Sequence, residues 1–240
     1  LITGLATAMM DSSPIIAITG QVPVSAIGSD AFQETDVTGA TLPVTKHNYL
    51  VTDASELAYT IKEAFYIART GRPGPVLIDV PKDVQNQVVE FVYPEGEIRL
   101  PGYQPPSAAL EEQIVAALEL IHNAERPVIL GGHGITLSGA NNEAREFAEI
   151  CNIPIAQTLL GKGSVPEEHP LVIGWMGMHG DAAVNHAIQE ADLLIALGMR
   201  FDDRVTGNLA SYSPHSKKIH IDIDPAELNK VVKADVAING

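Results

Sequence analysis

ADLLIALGMRFDDRVTG, residues Ala191–Gly207, is the stretch on which the fold turns. Leu193 to Leu197 is an unbroken apolar run, the pattern of a strand buried on both faces of a parallel sheet. Gly198 breaks it, and Arg200, Asp202, Asp203 and Arg204 follow at once. Guanidinium and carboxylate groups thus gather past the carboxyl end of a central strand, where open α/β sheets bind ligands. Two readings stay open here: a ligand site, or a strand exit whose charges pair with one another.

The chain has 240 residues, enough for one or two domains with a sizeable core. With 45% hydrophobic and 19% charged residues, it has a globular composition, with no apolar run long enough to span a membrane and no cleavable signal. A cytoplasmic protein is expected. The formal net charge of −15 speaks against nucleic acid and anionic membrane as partners, since polyanions are bound by clustered Lys and Arg. An anionic ligand must be held by a few local arginines. The lone Cys151 has no intrachain partner and is expected to pack. Because the sequence starts inside a helical pattern and stops after a strand-like one, it reads as an internal piece of a longer protein.

Taken in order, Leu1–Met10 reads as a helix end and Pro14–Thr19 as a short buried strand, with Gly20–Pro23 as a turn. Ser25–Pro43 is a long polar connection holding one aromatic, Phe32. Val44–Val51 resembles a strand. Asp53 and Glu56 open a helix with Leu57, Ile61, Ala64, Phe65 and Ala68 on one face. Val76–Val80 is the next strand, and Lys82 and Asp83 stand at its exit, facing either a ligand or solvent. Arg72, in the turn before it, is equally readable as plain punctuation. From Gln85 to Pro106 the pattern dissolves into Pro and Gly, as in an interdomain linker.

A second βα series follows. A helix over about Ala108–Asn123 puts Leu110, Ile114, Leu118 and Ile121 on one stripe, and Pro127–Leu130 is the first strand. Gly131–Gly132–His133–Gly134 comes next; glycines there let a backbone approach a ligand closely, although the run is not the dinucleotide fingerprint. The helix Asn142–Ile150, the strand Ile153–Thr158 and the turn Leu160–Gly163 repeat the unit. Leu171–Gly174 then leads to Trp175–Gly180, and a helix over Ala182–Glu190 precedes the opening strand. Lys218–Asp224 is one more strand. Asp224 before Pro225 reads as a helix N-cap, whereas Asp222 is a candidate for ribose hydroxyls.

Four strand ends therefore deliver glycines, hydroxyls, arginines and acids, a set suited to a large dinucleotide. Zinc spacing, a nucleophile elbow and a Walker sequence are all missing, so no metal ligand is assigned. His47, His133, His179 and His220 are each open to a catalytic or a structural role.

ITGQVP (Ile18–Pro23), DAFQET (Asp30–Thr35), KHNYLV (Lys46–Val51), GRPGPVLIDVPKDV (Gly71–Val84), GMHG (Gly177–Gly180) and RFDDRVTG (Arg200–Gly207) come in this order. Together they resemble the catalytic subunits of the acetolactate synthase (acetohydroxyacid synthase) family of thiamine-diphosphate enzymes. GRPGP with a VPKD exit is shared by many thiamine enzymes, while RFDDRVTG with GMHG and DAFQET is specific to this one. The resemblance implies α/β architecture with two parallel-sheet domains. Residues 1–84 would be part of the pyrimidine-binding domain, 85–105 a linker, and 106–240 a Rossmann-like central FAD-binding domain. Thiamine diphosphate, Mg2+ and FAD are the implied cofactors, the flavin mainly structural. The family's activating glutamate would precede this sequence and its metal-binding segment would follow it, so these residues alone are expected to be inactive.

By the same resemblance Gln21, Phe32 and Gln33 would line the active site, with Lys82 at its entrance. Met178 and Phe32 would shape an apolar slot for the 2-oxoacid acceptor, and Arg204, oriented by Asp203, would grip its carboxylate. Arg72, Gly131, Gly132, His133, Thr158, Leu159, His179, Gly180, Arg200, Asp202 and Asp222 would contact FAD. The implied reaction joins two pyruvates, or pyruvate and 2-oxobutanoate, with loss of CO2. Its products enter branched-chain amino-acid biosynthesis. A homodimer or tetramer with a small regulatory subunit is the family's assembly. The alternatives are another thiamine and FAD enzyme of the pyruvate oxidase or glyoxylate carboligase type, against which RFDDRVTG counts, and a non-catalytic nucleotide-binding module.

Overall fold

In the computed structural model, which describes residues 1–106 and 108–240, the chain divides into two units, Leu1–Pro105 and Pro106–Gly240. The first contains α1 (Ile2–Met10), β1 (Ile16–Gln21), α2 (Val37–Thr41), β2 (His47–Leu50), α3 (Leu57–Arg69), β3 (Val76–Pro81) and α4 (Lys82–Gln85). Its strands are parallel in the order β1-β3-β2, and β3, flanked on both sides, is buried along its whole length. β1 differs from the expected buried strand. It is an edge strand among the described residues, so Ile18 is 65% exposed, and its ladder runs on through Gly20 and Gln21 instead of turning there.

On α3, Ala64, Ile67 and Ala68 pack on Val76, Ile78 and Val80. Phe65, expected on that face, is exposed. The two alanines let the helix sit close to β3 and centre the buried face on Thr60, Ala64, Ile67 and Ala68, which turns Phe65 out. The connection Ser25–Pro43 is also more ordered than its composition suggests. It holds two 3-10 turns, Val24–Ala26 and Leu42–Val44, and α2, whose N-cap Asp36 accepts from Gly39 N at 2.8 Å. Residues 85–105, expected as a linker, lie against α3: Lys62 Nζ donates to Pro94 O at 2.7 Å, Tyr103 Oη donates to Thr70 O at 2.8 Å, and Ile98 is buried.

The second unit runs α5 (Glu111–His122), β4 (Pro127–Gly131), α6 (His133–Ser138), α7 (Asn141–Cys151), β5 (Ile155–Gln157), β6 (Val172–Trp175), α8 (Ala182–Glu190), β7 (Leu193–Leu197), α9 (Asp203–Thr206), β8 (Lys217–Asp222) and β9 (Val236–Asn239). Among the described residues its sheet has six parallel strands, ordered β6-β5-β4-β7-β8-β9. Val128, Leu130, Leu194 and Ala196 point to one face with Val184 and Ile188 of α8; Ile129, Leu193 and Ile195 point to the other with Ala117 and Ala148. Burial on both faces is why the central strands read as continuous apolar runs. Cys151 packs at the edge of the second cluster.

Two expectations fail here. Of the stripe assigned to α5 only Ile121 packs inward; Leu110, Ile114 and Leu118 are exposed, and the buried side is Ala117 with Leu120 and Ile121. Gln113 Nε2 donates to Ala237 O of β9 at 2.9 Å, a contact on the side of Ala117 and Leu120 that the periodicity cannot encode. Past β8, Asp224 does cap, its Oδ1 accepting from Ala226 N at 3.0 Å, but it caps a turn rather than a helix. Asn229 follows with φ of 60° and its Oδ1 accepts from Ala234 N, so the backbone leaves the right-handed region before a helix propagates. No helix among the described residues is long and apolar enough to cross a membrane.

Candidate active site

In the second unit the chain leaves β4 toward β5 on one side and returns as β7 on the other, so the sheet's topological switch point lies between β4 and β7. The carboxyl ends there carry Gly131–Gly134 after β4, Thr158–Gly163 after β5, Met176–Gly180 after β6, Gly198–Arg204 after β7 and Asp222 at the end of β8. These strand ends are brought to one edge, as the strand pattern predicts. The glycines serve a purpose not foreseen from the sequence. A Cβ on Gly132 would stand 2.2 Å from Gly198 O, and one on Gly134 2.6 Å from Gly198 Cα, so the β4 and β7 exits touch backbone to backbone. Gly132 N donates to Leu197 O and Gly134 N to Gly198 O, both at 2.9 Å.

His133, at the start of α6, has its Nδ1 buried and without a hydrogen-bond partner among the described residues. A polar atom left so costs about 1–3 kcal/mol unless a ligand satisfies it. Thr158 Oγ1 accepts from Gly161 N at 3.0 Å and closes the β5 turn, leaving Leu159 exposed at its tip. Asp222 is buried at the end of β8; its Oδ1 accepts from Asp224 N at 2.8 Å, and its Oδ2 stands 4.0 Å from His220 Nε2. His220 donates from Nε2 to Met199 O at 2.8 Å, which marks a structural histidine that holds the β7 exit. An orphan nitrogen, a glycine-lined switch point and a carboxylate beside it form a set that fits a nucleotide cofactor such as FAD.

Arg204 and the GMHG turn are tied together. Met178 N donates to Arg204 O at 2.7 Å, and Arg204 Nη1 stands 3.6 Å from Met178 Sδ. Asn185 of α8, which no sequence signal marks, grips Gly177 through both its N–H and its carbonyl at 2.9 Å each. Gly180 is required by packing, since a Cβ there would meet Trp175 O at 2.4 Å; His179 is exposed. Asp202 caps α9, accepting from Arg204 N at 3.0 Å and Val205 N at 3.1 Å, and lies 3.7 Å from Arg200 Nη2. Asp203, assigned by resemblance to orient Arg204, makes no ion pair with it among the described residues; the backbone of Arg204 is fixed by Asp202 instead. Some of the charges past β7 pair with one another, Arg200 with Asp202, while the Arg204 guanidinium is exposed on the rim.

In the first unit, Gln21 closes β1, Lys82 opens α4 at the end of β3, and Phe32 and Gln33 ride on the connection from β1 to α2. Phe32 is 88% exposed, and Gln33 has φ of 63°. Glu34 accepts from Gly28 N and, at 2.9 Å, from Ala31 N; these backbone donors, Gly28 foremost, hold its carboxyl below the usual range. Arg72 donates from Nε to Ser12 Oγ at 3.0 Å and from Nη2 to Met10 O at 3.3 Å, at the carboxyl end of α1. Among the described residues, no three His, Cys, Asp or Glu side chains gather to hold a metal ion, and none is assigned to Mg2+.

The family model described as thiamine pyrophosphate enzyme, central domain, matches residues 114–240, more than half of the chain. The chain belongs to the thiamine pyrophosphate enzyme family. Within it, the chain is a homologue of the acetolactate synthase large subunits. It is 52% identical to the probable acetolactate synthase large subunit of Methanocaldococcus jannaschii, over 100% of this chain and 41% of that protein. With the acetolactate synthase large subunit of Corynebacterium glutamicum the identity is 50%, over 100% of this chain and 38% of the relative. With the acetolactate synthase of Arthrospira platensis it is 50%, over 100% and 42%. The chain thus spans about two-fifths of the length of the curated relatives it matches.

Proposed function

We propose that the protein condenses two pyruvates, or pyruvate and 2-oxobutanoate, with loss of CO2, to acetolactate or acetohydroxybutanoate for branched-chain amino-acid synthesis. The observation that carries the reading is similarity near 50% along the whole chain to acetolactate synthases, with the Arg204 rim intact. Thiamine diphosphate, when bound, supplies the carbanion chemistry, and the protein supplies position and charge. Arg204 presents a planar guanidinium that can pair with the acceptor's carboxylate in bidentate fashion, with Met178 as an apolar wall beside it. Phe32, Gln33 and Lys82 are offered to the substrate from the first unit, which we assign to the pyrimidine-binding domain.

The second unit is assigned to FAD. His133 would donate from its orphan Nδ1, while Gly131, Gly132, Thr158, Leu159, His179, Gly180, Arg200, Asp202 and Asp222 would form the rest of the bed; Arg72 is assigned to FAD by the resemblance alone. The relatives' description as large subunits supports a small partner subunit; its regulatory role and a dimer or tetramer of this chain rest on the family resemblance alone. The test incubates the full-length protein with thiamine diphosphate, Mg2+, FAD and pyruvate and follows acetolactate. One product per two pyruvates is expected. Hydrogen peroxide in its place would turn the reading toward a pyruvate oxidase, and flavin retention without turnover toward a nucleotide-binding module.

A further inference from the structure

Asp79 lies in the middle of β3, 1% exposed, a carboxylate inside a sheet core. Burying such a group is costly unless hydrogen bonds satisfy it. Thr19 and Gln21, two residues apart on β1, face the same side of the sheet. They supply the bonds: Thr19 Oγ1 donates to Asp79 Oδ1 at 2.8 Å and Gln21 Nε2 to Asp79 Oδ2 at 3.0 Å. Both Asp79 oxygens accept here, so the nitrogen end of the Gln21 amide is the one that turns inward. The second Nε2 hydrogen then reaches Thr35 O at 2.7 Å, and Oε1 accepts from Val22 N at 2.9 Å.

Both amide donors of Gln21 are therefore committed to the protein, and they close the connection that carries Phe32 and Gln33. That connection includes two non-glycine residues in the left-handed region, Asp30 at φ 56° and Gln33 at φ 63°. Such conformations persist only where surrounding contacts over-determine them. Glu34 supplies contacts within the loop, Asp83 anchors its start by accepting from Val24 N at 3.1 Å, and Gln21 ties its far end to the sheet.

We propose that Asp79 and Gln21 are positioning residues, a buried clamp that holds the strained Phe32–Gln33 turn in place, and that Gln21 does not itself touch substrate. The kinetic consequence rests on the function proposed above; the structural one does not. The first test is amide hydrogen exchange on the full-length protein without ligands, comparing Gln21→Glu, Gln21→Leu and Asp79→Asn with Ile78→Val as a control in the same strand. Each Gln21 variant should raise exchange at Gly28, Ala31 and Glu34 about tenfold, the order expected for losing one or two net hydrogen bonds, with β3 amides unchanged. Asp79→Asn should act in the same direction, and Ile78→Val should leave the loop alone. Unchanged loop exchange in Gln21→Glu, or loop and β3 rising together in Gln21→Leu, overturns the clamp.

The second readout is turnover of a 2-oxoacid. If the clamp acts through Phe32, the losses in kcat/KM from Gln21→Glu and Phe32→Ala are strongly non-additive. Additive losses with a normal loop mean that Gln21 contacts substrate, which also overturns the proposal. Should the wild-type protein turn over no 2-oxoacid, the proposed function falls while the exchange result still decides the clamp. If Asp79→Asn does not fold, the two Gln21 variants carry the test.

Discussion

Gly132→Ala separates a glycine kept for packing from one kept for ligand approach. The backbone of Gly132 has φ of −103° and ψ of 178°, extended geometry that alanine adopts freely, so any cost is steric. The new Cβ would lie 2.2 Å from Gly198 O and 2.4 Å from Met199 Cβ, where ordinary contact begins at 3.4 Å. Both obstacles belong to the β7 exit, and no flexible side-chain end can swing aside. Overpacking of this kind costs about 1–3 kcal/mol. Spreading the exits also strains the bonds from Gly132 N to Leu197 O and from Gly134 N to Gly198 O, worth about 0.5–1.5 kcal/mol each. The expected loss is about 2–6 kcal/mol.

Gly131→Ala is the matched control, because its Cβ meets nothing closer than Ile135 Cδ1 at 3.4 Å, and its cost should stay within about 1 kcal/mol. Urea unfolding followed by the fluorescence of Trp175, the chain's only tryptophan and a β6 residue, reports on the second unit. If Gly132→Ala proves as stable as wild type, or Gly131→Ala as damaging, the packing account of this turn is wrong.

Arg204→Ala in the full-length protein should lower kcat/KM for the 2-oxoacid by about a hundredfold, the scale of a lost charge-assisted hydrogen bond, while flavin affinity moves less than threefold; equal losses would remove Arg204 from the acceptor site. At Asp192, burial would raise the carboxyl, but the backbone N–H groups of Glu125 and Arg126, at 2.7 and 2.9 Å, outweigh it and hold it below its ordinary value of 3.8. A depressed carboxyl stabilises the fold above its unfolded value and loses that contribution as pH falls through the folded one. Asp192→Ala should therefore cost about 1–2 kcal/mol at neutral pH, with the gap to wild type closing below pH 3.8 in parallel acid titrations; a gap independent of pH would show that the carboxylate is not the cause.

Much of the architecture was legible in the sequence because burial writes itself into local pattern. Leu193–Leu197 reads as a strand covered on both faces, and so it is. The β-α-β rhythm places glycines, arginines and Asp222 at strand exits, and parallel pairing then carries them to one edge. What stayed illegible depends on partners distant in sequence. Leu110, Ile114 and Leu118 form a sound apolar stripe, yet Ala117 faces the core, and Gln113 bonds to β9, 124 residues away. Asp224–Pro225 carries a sound helix-start signal, and the left-handed Asn229 cancels it.

The division follows from the range of the forces involved. Strand identity, chain order and the class of residue at each strand exit come from hydrophobic periodicity and short-range sterics, which act over a few residues and are spelled out in the sequence itself. Only the tertiary structure decides which polar atoms meet. It brings Asp79 to Gln21 across 58 positions, Gly132 against Gly198, and Arg204 beside Met178. Each of these contacts depends on hydrogen-bond or van der Waals distances between backbones that only the assembled sheets bring together.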